Sequence, residues 1–90
     1  MAAARTVIRN ALGLHARPAM AFVEAAGGFP CDVRVRRTDN EEWVDGKSIM
    51  QMLLLAATHG TELEICCEGQ GADGALAALV GLVERLFDED

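Results

Sequence analysis

Two stretches of this chain alternate with a period of two. In CDVRVRR at 31–37, Cys31, Val33 and Val35 fall on one side and Asp32, Arg34 and Arg36 on the other. In TELEICCEG at 61–69, Leu63, Ile65 and Cys67 oppose Glu62, Glu64 and Cys66. A period of two is the signature of a strand, and a strand that is half polar belongs to a sheet with one face in water. Such a sheet needs a covering layer on its dry face only. A chain of 90 residues buries about 60–65% of its unfolded surface, enough for one core between two layers. One domain over 1–90 is therefore expected. If the two strands are neighbours, Arg34 and Arg36 face glutamates across the sheet, each pair contributing ~0.2–1 kcal/mol.

The remaining segments supply that second layer. RTVIRN at 5–10 reads as a short strand, and ALGL at 11–14 as a loop. From Ala16 the spacing changes: Ala19, Phe22, Val23 and Ala26 form a helical stripe, which Gly27 and Gly28 end. TDN at 38–40 reads as a turn and EEWVD at 41–45 as a returning strand. Ser48 opens a short helix, IMQMLLLAA, closed by His59 and Gly60. Asp73 is placed to cap a last helix whose stripe is Leu76, Leu79, Val80, Val83 and Phe87. The order is β-α-β-β-α-β-α, an α+β arrangement of two layers.

Composition narrows the function classes. The net charge of −6 argues against nucleic acid and against an anionic membrane surface. One Trp and no Tyr leave no platform for stacking bases. Residues 1–40 carry six basic and three acidic groups, net +3; residues 41–90 carry two basic and eleven acidic groups, net −9. A basic site inside an acidic chain suits an anion or an acidic partner. The run ALAALVGLV at 75–83 is far shorter than the ~20 residues of a membrane span, and MAAAR does not begin a signal peptide. Cys31, Cys66 and Cys67 match no metal or redox spacing, so free thiols in a reducing cytosol are expected. No metal or cofactor is implied.

GLHARPA at 13–19 puts His15 at the N-cap of the first helix. N-caps favour Ser, Thr, Asp and Asn, so a histidine there calls for another reason. The unpaired N–H groups of the first turn and the positive end of the helix surround that position. Pro18 costs little in a first turn, and Gly13 allows a sharp entry. Arg17 adds a planar cation that can hold phosphate oxygens in two places. Neutral imidazole is a competent nucleophile. The arrangement suits a phosphoryl group carried on the ring. The plain alternative is an ordinary polar cap. His59, read at a helix C-terminus, gets the opposite assignment and no chemical role.

DGKSIM at 45–50 is not a phosphate-binding loop, because Glu41 stands where that pattern needs glycine. Ser48 reads as an N-cap. The helix behind it is apolar nearly all round: Ile49, Met52 and Leu55 can pack, leaving Met50, Leu53 and part of Leu54 outward. Such a helix is either fully covered or a docking patch.

Taken together, GLHARPA, DGKSIM and the Leu/Ala-rich short helix resemble HPr, the histidine-containing phosphocarrier family of the bacterial phosphoenolpyruvate-dependent phosphotransferase system. The likeness spans nearly the whole chain. It implies an open-faced β-sandwich, a four-stranded antiparallel sheet with three helices on one face. It implies phosphorylation of His15 at Nδ1, donation by enzyme I and acceptance by an enzyme II A domain for sugar uptake. Arg17, with the backbone of Ala16 and Arg17, is implied to stabilise the phosphoryl group. Ser48 matches a serine that an HPr kinase/phosphorylase modifies in some members, and Met20, Ile49, Met50 and Leu53 match docking positions. A carrier of this kind is not an enzyme; it is cytoplasmic, and a monomer is expected. The TDNEEWVDG hairpin is longer than in many members, and the FDED tail is strongly acidic.

Three alternatives remain open on the residues. One is a nitrogen-related phosphocarrier of the same family. Another is an interaction module without relay, for which the His15–Arg17 pair has no use. The last is a small acylphosphatase, which needs an arginine and an asparagine aimed at one phosphate; neither Asn10 nor Asn40 is well placed.

Overall fold

A computed structural model describes residues 1–88. Its elements are β1 (Ala2–Val7), α1 (Ala16–Gly27), β2 (Asp32–Arg37), β3 (Val44–Asp45), α2 (Ile49–Leu54), β4 (Glu62–Glu68) and α3 (Ala72–Glu84), with a 3₁₀ turn at Leu86–Asp88. The sheet is antiparallel, in the order β1-β4-β2-β3. This is the open-faced sandwich, with three helices beside one four-stranded sheet.

Strand alternation decides which face is dry. Cys31, Val33, Val35, Leu63, Ile65 and Cys67 are buried, while Asp32, Arg34 and Glu62 are exposed. Phe22 of α1, Met52 of α2, and Leu79 and Val83 of α3 complete the core without measurable exposure. On the wet face Arg36 opposes Glu64 in register, with its Nη2 2.7 Å from Oε1. Arg34 instead opposes Cys66, so only one of the two expected arginine–glutamate pairs forms.

Several boundaries differ from those read in the sequence. The first strand covers Ala2–Val7, not 5–10, and pairs in full register with Cys67–Glu62. Three consecutive alanines are poor strand formers, yet the complete ladder to β4 outweighs that. The returning strand is reduced to Val44–Asp45. Glu42 N–H donates to Asn40 Oδ1 at 2.9 Å, a local turn bond that competes with the ladder. Gly71, at φ +80°, is the N-cap of α3; Asp73 lies in the first turn, where its charge still complements the helix end. Gly28 caps α1 in the right-handed region. Phe87 is buried, but beyond the end of α3 in the 3₁₀ turn.

The largest difference concerns α2, which stops at Leu54 rather than running to Ala57. Ala56 adopts φ +51°, outside any right-handed helix. Arg37 gathers the freed carbonyls: its Nη1 donates to Leu55 O at 3.2 Å and Ala56 O at 3.3 Å. Asp39 grips the other side of that guanidinium, at 2.8 and 3.0 Å. The same guanidinium, through its hydrogen bonds, holds the exposed Asp39 carboxyl below the usual carboxylate range. His59 is therefore not at a helix C-terminus. It is exposed in a turn with Gly60.

All three cysteines are free thiols. Cys31 and Cys67 are buried in the core and Cys66 is half-buried on the wet face. Burial, then the neighbouring Cys31 and Cys66, push the Cys67 thiol up to about 11. A thiol raised in the folded state leaves stability unchanged at neutral pH. Stability then declines as pH rises from the ordinary ~8.5 toward the folded value, because the unfolded thiol ionises first. Iodoacetamide at about pH 8 is expected to alkylate Cys66 alone in the native protein and all three cysteines in urea. Mass spectrometry of the time course reads this out; early labelling of Cys67 would contradict the packing.

Candidate functional site

The loop from Asn10 to Leu14 aims the start of α1. Gly13 N–H donates to Asn10 O at 3.1 Å, and the Asn10 side-chain amide donates back to Gly13 O at 2.6 Å. Leu14 is buried, and its N–H donates to Ala57 O at 2.9 Å. Gly13 sits at φ +71°, and a Cβ there would fall 2.6 Å from Ala57 O. The 57–58 backbone is thus the floor beneath this loop. Asn10, which in the sequence merely precedes the loop, is its internal brace; an Asn three residues before a Gly is the signal for such a turn.

His15 is the N-cap residue, extended at φ −80° and ψ −169°, and its ring makes no capping hydrogen bond to the first turn. It is half-buried. Its carbonyl accepts from Ala19 N–H at 3.0 Å. Pro18 has no N–H, so the amides without an intrahelical acceptor are those of Ala16 and Arg17. Both residues are exposed, and the first turn holds no acidic side chain. No carboxylate of that turn competes for an anion. An open depression of about 420 Å³ runs from Ala16 and Arg17 to Met20, Ala21 and Glu24. The structure brings His15, Ala16 and Arg17 together at one helix start.

The other predicted residues lie on α2 and on the side of α1. Ser48 is the N-cap of α2, its Oγ accepting from Gln51 N–H at 3.2 Å. Lys47 Nζ donates to Phe29 O at 2.7 Å, tying the start of α2 to the end of α1. Met50 is 73% exposed and Met20 50%. Leu53 is exposed as well, whereas Ile49 packs partly against the core. Ser48→Ala is expected to cost about 1 kcal/mol through loss of the cap, read from the urea midpoint at constant slope. A midpoint equal to wild type would remove the cap from the account.

Periodicity does not single out Trp43 or Leu12 as surface groups, yet both are exposed. Trp43 falls in the stretch read as a returning strand but lies in loop, one residue before β3. Among the described residues no cluster of three or more His, Cys, Asp or Glu could hold a metal ion. No helix there is long and apolar enough to cross a membrane.

The family profile "PTS HPr component phosphorylation site" matches residues 2–85. The chain belongs to the HPr family. It is 53% identical over 89 residues to the phosphocarrier protein HPr of Pseudomonas aeruginosa, covering 99% of this chain and 98% of that one. It is 37% identical over 83 residues to the phosphocarrier protein NPr of Escherichia coli K12, covering 92% and 91%. The crystal structure of HPr-C-His from Thermoanaerobacter tengcongensis superposes with a TM-score of 0.92 at 36% identity, covering 100% of this chain and 99% of that one. The chain is thus an HPr-type phosphocarrier of the phosphotransferase system, with relatives called both HPr and NPr. Within the HPr family the acylphosphatase reading lapses. Asn10 already directs its amide to Gly13 O, and Asn40 lies in the 38–43 loop.

Proposed function

We propose that residues 1–90 form one HPr domain that takes a phosphoryl group from phosphorylated enzyme I onto Nδ1 of His15. The domain then passes the group to an enzyme II A domain for sugar uptake. The Nδ1 lone pair forms the N–P bond as the bond from phosphorus to the donor breaks. The acceptor's nucleophile reverses this in the second transfer. The observation that carries the reading is a half-buried ring at a helix start where the Ala16 and Arg17 amides have no helical acceptor. Those amides and the Arg17 guanidinium supply positive potential for the phosphoryl oxygens.

The partners dock on the exposed side chains of Met20, Met50 and Leu53, with Ile49 supporting them from below. Recognition that must be released twice per cycle suits a small apolar patch. Phosphorylation of Ser48 would put about two negative charges beside Met50 and Leu53 and weaken docking of the donor. The protein acts as a cytoplasmic monomer and holds a covalent intermediate between two catalysts.

Incubation with phosphoenolpyruvate and purified enzyme I tests the reading. The expected product is one acid-labile phosphate per chain, mapped to Nδ1 of His15. A chain that binds enzyme I yet takes up no phosphate would instead be an interaction module. Higher identity to a relative called HPr than to one called NPr favours the sugar branch. Phosphoryl transfer to a sugar-specific A domain faster than to a nitrogen-related acceptor is the expected outcome, and the reverse ranking would move the chain to the regulatory branch.

A further inference from the structure

An open groove of about 380 Å³ separates the 38–43 loop from α2. Trp43, Val44, Leu54 and Leu55 line it, with Glu42 and Gln51 among the polar groups. It adjoins the Met50–Leu53 patch but includes none of Met20, Met50 or Leu53. Leu54 is 78% exposed and Trp43 40%. A cavity of ~150 Å³ admits a benzene ring, so this one has room for a large apolar side chain.

The groove is built in advance. The Arg36 guanidinium lies 5.3 Å from the centre of the Trp43 ring. Arg36 is itself held by Glu64 at 2.7 Å and by Asn40 O at 2.8 Å. The indole therefore rests on an anchored cation, a contact that favours one ring position. A fixed tryptophan at a partly open groove is the kind of residue on which binding energy concentrates.

Charge identifies the occupant. Two neighbouring cations are paired with carboxylates, Arg36 with Glu64 and Arg37 with Asp39, and Lys47 is turned to Phe29 O; the exposed Arg34 flanks Trp43 on its other side, beside Glu68 and Cys66, and does not line the groove. Glu41 and Glu42, both exposed on the same loop, take part in none of the ion pairs among the described residues. The approach to the groove is negative on a chain of net charge −6. A second copy would bring like charges together.

We propose that this groove receives a segment of a partner protein in which one large apolar side chain is flanked by lysine or arginine. The site is separate from the histidine and its chemistry, so its failure and that of the phosphoryl relay are distinguishable.

Trp43 is the single tryptophan of the chain, so its emission reports binding directly. The probes are acetyl-Lys-Leu-Phe-Lys-amide and its mirror in charge, acetyl-Glu-Leu-Phe-Glu-amide. The lysine peptide is expected to shift the Trp43 emission and the amide resonances of 40–44 and 51–55. It should bind at least about tenfold tighter than the glutamate peptide at low salt, the advantage shrinking as salt is added. The double variant E41Q/E42Q should cut that preference to about twofold or less, while Leu54→Ala weakens both peptides. E41Q/E42Q should still accept phosphate from enzyme I at the wild-type rate. Equal binding of the two peptides, no binding up to about 10 mM, or shifts confined to Met20, Met50 and Leu53 would each overturn the proposal. So would sedimentation showing that the protein alone dimerises and that E41Q/E42Q strengthens the dimer.

Discussion

His15→Ala is expected to take up no phosphate from phosphoenolpyruvate and enzyme I under conditions chosen to label the wild-type chain. The ring is the only nucleophile at the start of α1; Ala16, Arg17, Pro18 and Ala19 offer none. The start of α1 is expected to survive the change, because the ring supplies no cap to the helix and alanine accepts the extended φ of −80°. Unchanged far-ultraviolet circular dichroism and an unchanged urea midpoint would show that the loss is chemical. Arg17→Ala, by contrast, is expected to keep the site of labelling and to slow transfer by roughly 10–100-fold, the loss of the guanidinium donors proposed to meet the phosphoryl oxygens. Labelling of His15→Ala at the wild-type rate would place the phosphate elsewhere and remove the relay through this ring.

Gly13→Ala is expected to damage both stability and transfer. The position requires φ +71°, where a side chain costs about 1–2 kcal/mol. Space is the second obstacle: the new methyl group would lie 2.6 Å from Ala57 O and 2.7 Å from Thr58 Cα. Both are backbone atoms and cannot turn aside as a side chain would, so the 10–14 loop must lift from its floor. The bond from Leu14 N–H to Ala57 O lengthens with it. The combined cost is about 2–4 kcal/mol, or a fall in Tm of roughly 10–25 °C for a chain of this size. Gly60→Ala is the control. It stands at φ +92°, and a Cβ added there would meet nothing within 4 Å, so only the conformational part of the cost applies. Thermal unfolding of the two variants separates the terms; equal losses would mean that the contact with 57–58 carries no weight. Because His15 follows the displaced loop, Gly13→Ala should also slow phosphoryl uptake in the fraction that remains folded.

Much of this architecture was legible in residue order. The period of two at 31–37 and 61–69 established two strands and their dry faces, since a side chain's face in a strand depends only on parity. The stripe from Ala19 to Ala26 and the alternation of elements established the two layers. At the site, a histidine where caps are normally Ser, Thr, Asp or Asn marked His15 as a candidate beside the plain reading of a polar cap, and the structure places it at that N-cap with Arg17 in the first turn. The outward set on α2 also followed, because Ile49, Met52 and Leu55 share one helical face and leave Met50 and Leu53 on another.

Local pattern misleads where distant partners compete with it. Ala2–Ala4 lack any strand preference of their own and become strand because β4 offers a full ladder. Leu55 and Ala56 continue a helical pattern but leave the helix because Arg37, eighteen and nineteen positions earlier, binds their carbonyls. Glu41–Trp43, read as the start of a returning hairpin strand, become loop beside Arg36.

Sequence alone thus determined the layers and the dry and wet faces and singled out the ring proposed to carry phosphate, all of which follow from periodicity and the chemistry of single residues. Tertiary structure decided where helices and strands stop, how the 57–58 backbone aims His15, and that Trp43 lines a groove. Those outcomes depend on hydrogen bonds and packing between residues far apart in the chain, whose energies no local window contains.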